Sequence, residues 1–110
     1  MLKHLDPGRA PIYPEAELPA FRTVVDGQPV GFLHVRSPEP GATPLLLQHE
    51  WLGSVAEMLA MVEPLTNPRL YGGRAADACH VVWPSVADGT GLGRLMRRLG
   101  YERFDHRRLG

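Results

Sequence analysis

Cysteine is nearly missing from this 110-residue chain: Cys79 stands alone. A single thiol excludes an internal disulfide and fits a reducing compartment, so Cys79 reads as packing beside an apolar strand. Long hydrophobic runs are missing as well. No stretch approaches the roughly 18 to 20 apolar residues that cross a bilayer. The opening residues, MLKHLDPGRAP, lack the apolar h-region of a secretory signal. The expectation is a cytoplasmic protein with no membrane partner. Metal-ligand spacing is lacking too. HEWLG, residues 49–53, opens like H-E-x-x-H, but Gly53 stands where the second imidazole must be. His4, His34, His80 and His106 show no ligand spacing either, so no metal and no cofactor is expected. GTGLG, residues 89–93, has neither the G-x-G-x-x-G spacing nor a following G-K-[ST], and reads as a flexible turn rather than a nucleotide site. No internal repeat is present.

Net charge is zero, but it is unevenly spread. From residue 94 onward six arginines face Glu102 and Asp105, while residues 1–93 hold six basic and ten acidic groups. A basic end can contact phosphates. Here Arg94, Arg97 and Arg98 fall on the polar face of an amphipathic helix, a sufficient account of them, and nucleic acid is not favoured as a partner.

What is present is a globular composition, 44% hydrophobic and 22% charged, in a chain long enough for one modest core. Residues 1–20 carry Pro7, Pro11, Pro14 and Pro19 and read as an irregular lead-in. Asp26-Gly27 between two β-rich runs predicts a hairpin of strands at about Phe21–Val25 and Val30–Val35. Leu45, Leu46 and Leu47 are continuous rather than alternating, which predicts a strand covered on both faces, as in a parallel sheet. Ser54 and Glu57 make an S-x-x-E capping box. Val55, Met58, Leu59 and Val62 then give one apolar helical face, with Pro64 as the expected stop. CHVVWPS, residues 79–85, predicts another buried strand. A second helix carries Leu92, Leu95, Met96 and Leu99 on one face. Gly100 suits its C′ position, and Tyr101 could pack back on Met96 as in a Schellman cap. Strands alternating with helices argue for an α/β fold with parallel pairs.

One position invites chemistry. Ligands of α/β sheets sit outside the carboxyl ends of the strands, and His49 to Ser54 occupy such an end, beside a helix N-terminus. Backbone N–H groups there could stabilise a developing negative oxygen, and a plain tight turn is the alternative reading.

FRTVVDGQPVGFLHVRSPEPGATPLLLQHEWLGSVAEMLAMVEPLTNP, residues 21–68, resembles the start of the catalytic domain of α/β-hydrolase-fold epoxide hydrolases, of the microsomal type and its bacterial relatives. In that family the third strand runs into an H-G-W-P-G-S turn; here it reads His49-Glu50-Trp51-Leu52-Gly53-Ser54. HVVWPS resembles the family's fourth strand, and GRLMRRLGYERF the helix leading to the nucleophile strand. The resemblance implies a partial α/β-hydrolase sheet over residues 21–104: an antiparallel hairpin plus two parallel strands, with flanking helices. It leaves residues 1–20 as a lead-in and 105–110 as a divergent basic tail.

The family reaction implied is hydrolysis of an epoxide to a diol. A strand-end aspartate opens the epoxide to an alkyl ester, and a histidine paired with a carboxylate then activates water. Two lid tyrosines assist the leaving oxygen, and turn amides form the oxyanion hole. Of this machinery only the oxyanion-turn remnant carries over: His49, Trp51, Gly53 and Ser54. Glu50 replaces a glycine and Leu52 a proline, which changes the backbone freedom of the turn and sets a carboxylate beside it. Where the family continues into a G-G-D-W-G nucleophile turn, this sequence reads DHRRLG and stops. Asp105 and His106 then lie outside any strand or turn, and no catalytic residue is retained. The expectation is a truncated or degenerate epoxide hydrolase, inactive as this chain. An epoxide-type small molecule is its partner by family only, and the strand at 45–48 is left with an open edge. Such an edge would seek a second copy or a complementing hydrolase half. The competing expectation is a small interaction protein that binds through that edge or the basic tail.

Overall fold

The computed structural model describes residues 13–15, 19–86 and 91–108. Its strands are β1 (Tyr13–Glu15), β2 (Ala20–Val25), β3 (Gln28–Val35) and β4 (Thr43–Gln48), followed after helix α1 (Val55–Thr66) by β5 (Cys79–Pro84). Helix α2 (Leu92–Arg98) and strand β6 (Asp105–Arg108) complete the order. All six strands form one sheet in the order β1-β2-β3-β5-β4-β6. The first four are joined by antiparallel pairings, whereas β4 runs parallel to both β5 and β6. The antiparallel hairpin, the two parallel strands and the flanking helices read from the sequence are therefore present.

The hairpin turns on Asp26 and Gly27, both at positive φ (52° and 78°), as a two-residue type I′ connection requires. The leucine run behaves as a doubly covered strand should. Leu45 and Leu47 join Leu33, Val81, Trp83, Met58 and Val62 in the core under α1. Leu46 points the other way, into the core of Phe32, Val82, Leu92, Leu95 and Met96 under α2. Period-two alternation across β3, β4 and β5 thus feeds two cores at once, and an isolated run of leucines is the signature of that arrangement.

Helix α1 begins at Ser54, whose hydroxyl accepts the Glu57 N–H at 3.2 Å. It does not stop at Pro64. The proline removes one donor only a turn from the end, and the helix runs on to Thr66, with Asn67 N–H closing on the Glu63 carbonyl at 2.9 Å. Helix α2 ends as a Schellman motif. Tyr101 N–H bonds the Met96 carbonyl at 2.9 Å and Gly100 N–H the Arg97 carbonyl at 3.0 Å, with Gly100 at φ +97°. The arginines of α2 serve the fold. Arg94 pairs with Asp26 of the hairpin turn, and Arg98 donates to the Val24 carbonyl at 2.6 Å and to the Thr23 hydroxyl at 3.3 Å.

Two expectations are corrected. Part of the proline-rich lead-in is strand: β1 pairs Pro14 opposite Phe21 at the sheet edge, the one place where a residue without an N–H is tolerated. Residues 1–12 and 16–18 lie outside the described residues. The second correction concerns the end of the chain. Asp105 and His106 do lie in a strand, because β6 adds to β4 in parallel with Leu45 opposite Asp105 and Gln48 opposite Arg108. The edge of β4 is thereby covered, and all four β6 side chains are exposed. Unsatisfied N–H and C=O groups on β4 are the physical reason: pairing them outweighs the weak strand preference of a charged tetrapeptide. Residues 87–90, which include the first two of GTGLG, lie outside the described residues.

Candidate functional site

The chain leaves β4 at Gln48, crosses five residues, and enters α1 from its Ser54 cap, so the His49 turn sits at the carboxyl end of a central parallel strand. Two indoles hold it there. Trp83, buried near the end of β5, donates its ring N–H to the His49 carbonyl at 2.8 Å. Trp51 returns the contact, donating its own N–H to the Trp83 carbonyl at 3.1 Å. The Trp51 ring lies over Gly31 of β3, where a Cβ would come within 3.3 Å of it. Ser85, just past β5, exchanges two bonds with Gly31: its hydroxyl accepts the Gly31 N–H at 3.1 Å and its own N–H donates to the Gly31 carbonyl at 2.6 Å. The turn is thus fastened to β5 directly and to β3 through a glycine-sized gap.

The four remnant residues are together, in different roles. His49 Nδ1 lies 2.7 Å from the Glu50 carbonyl, which can only accept, so Nδ1 is the donor in this contact. Its ring meets that of Trp83 edge-on, with centroids 6.1 Å apart. Trp51 is half-buried and structural; Gly53 and Ser54 are exposed at the helix start. The departures fit without strain. Asp26 is the sole non-glycine at positive φ among the described residues, so Glu50 occupies ordinary backbone. Leu52, in place of proline, packs its side chain against the α1 core.

Electrostatically the turn is guarded by carboxylates. Glu50 is exposed beside it, and Glu57 accepts the Ser54 hydroxyl at 3.2 Å. The Glu57 carboxylate oxygen lies 3.5 Å from where a Gly53 Cβ would stand, so it covers the positive end of α1. The turn can therefore offer backbone donors to a developing oxyanion only against two nearby negative charges. Among the described residues no group of three His, Cys, Asp or Glu side chains could hold a metal ion. Asp105 and His106 flank Leu45 and Leu46 on β6, at the far end of that strand from Arg108.

The family model described as "Epoxide hydrolase N terminus" matches residues 14–58, the segment that contains this turn. A Stigmatella aurantiaca (strain DW4/3-1) protein that carries epoxide hydrolase in its name is 41% identical over 100 residues, 76% of this chain and 23% of the relative. "Epoxide hydrolase 1" of Oryctolagus cuniculus is 33% identical over 87 residues, 76% of this chain and 19% of that protein. The chain is epoxide hydrolase-like.

The fold agrees. Juvenile hormone epoxide hydrolase from the silkworm Bombyx mori superposes with a TM-score of 0.57 at 24% identity, over 84% of this chain and 29% of that one. The Aspergillus niger epoxide hydrolase gives 0.56 at 20% identity, over 84% and 28%. This epoxide hydrolase-like chain spans under a quarter of the length of the curated relatives it matches. No helix among its described residues is long and apolar enough to cross a membrane.

Trp83 is the site residue that sequence reasoning missed. Its signal was available: a buried indole needs a partner for its N–H, and the neighbouring strand end is the nearest source of carbonyls.

Proposed function

We propose that this chain supplies the N-terminal sheet and oxyanion turn of an epoxide hydrolase-like domain, and that the 110 residues alone do not hydrolyse epoxides. The observation that carries this reading is the His49–Ser54 turn, positioned by paired indoles at the end of β4 in the segment that the epoxide hydrolase N-terminus model matches. The family reaction needs an aspartate nucleophile, a histidine base with its carboxylate, and lid tyrosines. The sequence pattern of none of these occurs in the 110 residues. An oxyanion turn contributes to transition-state stabilisation but cannot replace a covalent nucleophile. Glu50 and Glu57 further oppose negative charge at the turn. The small-molecule partner is then an epoxide by kinship, met in a cytoplasmic setting, and catalysis would call for a complementing hydrolase segment that supplies the missing nucleophile, base and lid.

Incubation with styrene oxide and chromatographic measurement of the diol tests the proposal. We expect diol at the uncatalysed background, unchanged by Glu50→Gly with Leu52→Pro. Diol above background that is abolished by Asp105→Ala would overturn it.

A further inference from the structure

A second polar cluster lies at the opposite end of the sheet, and the turn chemistry makes no use of it. His80 stands at the start of β5, level with Pro44 at the start of β4, whereas the His49 turn follows the far end of β4. Arg36 follows directly after β3, whose last residue pairs with Val81, and is exposed beside His80. Tyr101 packs against His80 and His34. Its ring stacks on His80 with centroids 6.0 Å apart and planes at 19°, and its hydroxyl meets His34 Nε2 at 2.6 Å.

We propose that Arg36 and His80, the latter backed by the Tyr101 ring, bind an oxyanion, a phosphate or carboxylate group.

Three observations support this. First, the His80 tautomer is set. Ser37 N–H donates to His80 Nδ1 at 2.9 Å, so the ring proton is on Nε2, which becomes a donor. Second, Arg36 has no carboxylate partner among the described residues. The nearest acid in sequence, Glu39, is buried and already bound by Arg69 at 2.6 Å, and its own N–H goes to the Ser37 hydroxyl at 3.0 Å. Arg36 and His80 therefore present donors only, and a guanidinium fork matches the two oxygens of a carboxylate or phosphate. Third, the cluster is electrostatically unbalanced. Among the described residues, the charged and titratable groups tied to His80 are Arg36, His34 and Tyr101. Burial and then the Arg36 charge hold both imidazoles below their ordinary range, and His80 adds to the lowering of His34. A bound anion cancels that field, so binding and His80 protonation reinforce one another.

The site is tested on the intact chain by following the His80 ring resonances in NMR at neutral pH and constant ionic strength. The additions are inorganic phosphate, acetate and, as a screening control, chloride. We expect a saturable His80 shift and an upward move of its titration midpoint. Phosphate acting alone would indicate a phosphate-bearing ligand, and acetate acting equally would admit carboxylates. Arg36→Gln, at an exposed position outside both cores, should weaken the effect about tenfold without altering the fold by circular dichroism. Shifts that match those in chloride, or that persist in Arg36→Gln, would overturn the proposal.

Discussion

Trp83 shows how much one donor can settle. Its ring fills the α1 core while its single N–H reaches the His49 carbonyl, so packing and turn geometry depend on the same side chain. Trp83→Phe should cost about 2–3 kcal/mol, by leaving a half-buried acceptor without its bond and a void beside Leu47. Trp51→Phe, which removes a less buried donor, should cost about 1 kcal/mol. Urea unfolding followed by far-ultraviolet circular dichroism measures both. His34 makes a pH-dependent statement. Burial first, then the charges of Arg36 and His80, lower its pKa from 6.5 to about 4. The neutral ring is the form that meets the Tyr101 hydroxyl in the folded state. Because the folded pKa lies below the unfolded one, the stabilisation is fully present above pH 6.5 and is lost as pH falls toward about 4. His34→Phe should flatten the decline in urea midpoint across that window. A decline of unchanged steepness would assign it to other groups.

Helix ends carry the next level of organisation. Ser54→Ala removes the acceptor of the Glu57 N–H and should cost about 1 kcal/mol. Gly100→Ala places a Cβ at φ +97° and should cost a similar amount, about 1 kcal/mol, and loosen the Tyr101 contact with His34. Thermal melts of the two variants check both values. These caps were legible in the sequence because they rest on short, local residue codes, as does the Asp26-Gly27 hairpin. Three features were not. Pro64 sits where a local rule predicts an end, yet the helix runs two residues further, to the buried Thr66. β1 and β6 have unremarkable strand propensity and exist through what their neighbours lack: each completes the hydrogen bonding of an adjacent strand, a tertiary demand that no local window records. The site divides in the same way. The position of the His49 turn follows from the strand-then-cap pattern, whereas its fastening by Trp83 and Gly31 joins residues far apart in sequence.

At the scale of the whole molecule, β6 decides whether the sheet stays closed to other chains. It covers the β4 edge with four exposed residues, three of them basic or imidazole side chains of the kind that discourage further pairing. Ending the chain after Phe104 should therefore expose Leu45–Leu47 and drive concentration-dependent association in light scattering, while the 110-residue chain scatters less at equal concentration. Amide exchange should change in step, with β4 protected in the longer chain and rapidly exchanging in the shorter. One more consequence follows from the paired indoles. Trp51 and Trp83 are the chain's two tryptophans, and both belong to the His49 turn. Light absorbed selectively by indole is consequently absorbed at this turn and nowhere else. The emission spectrum of the unlabelled protein is a local gauge of the turn's solvation, able to register a ligand or a docking segment there while the rest of the sheet stays optically silent.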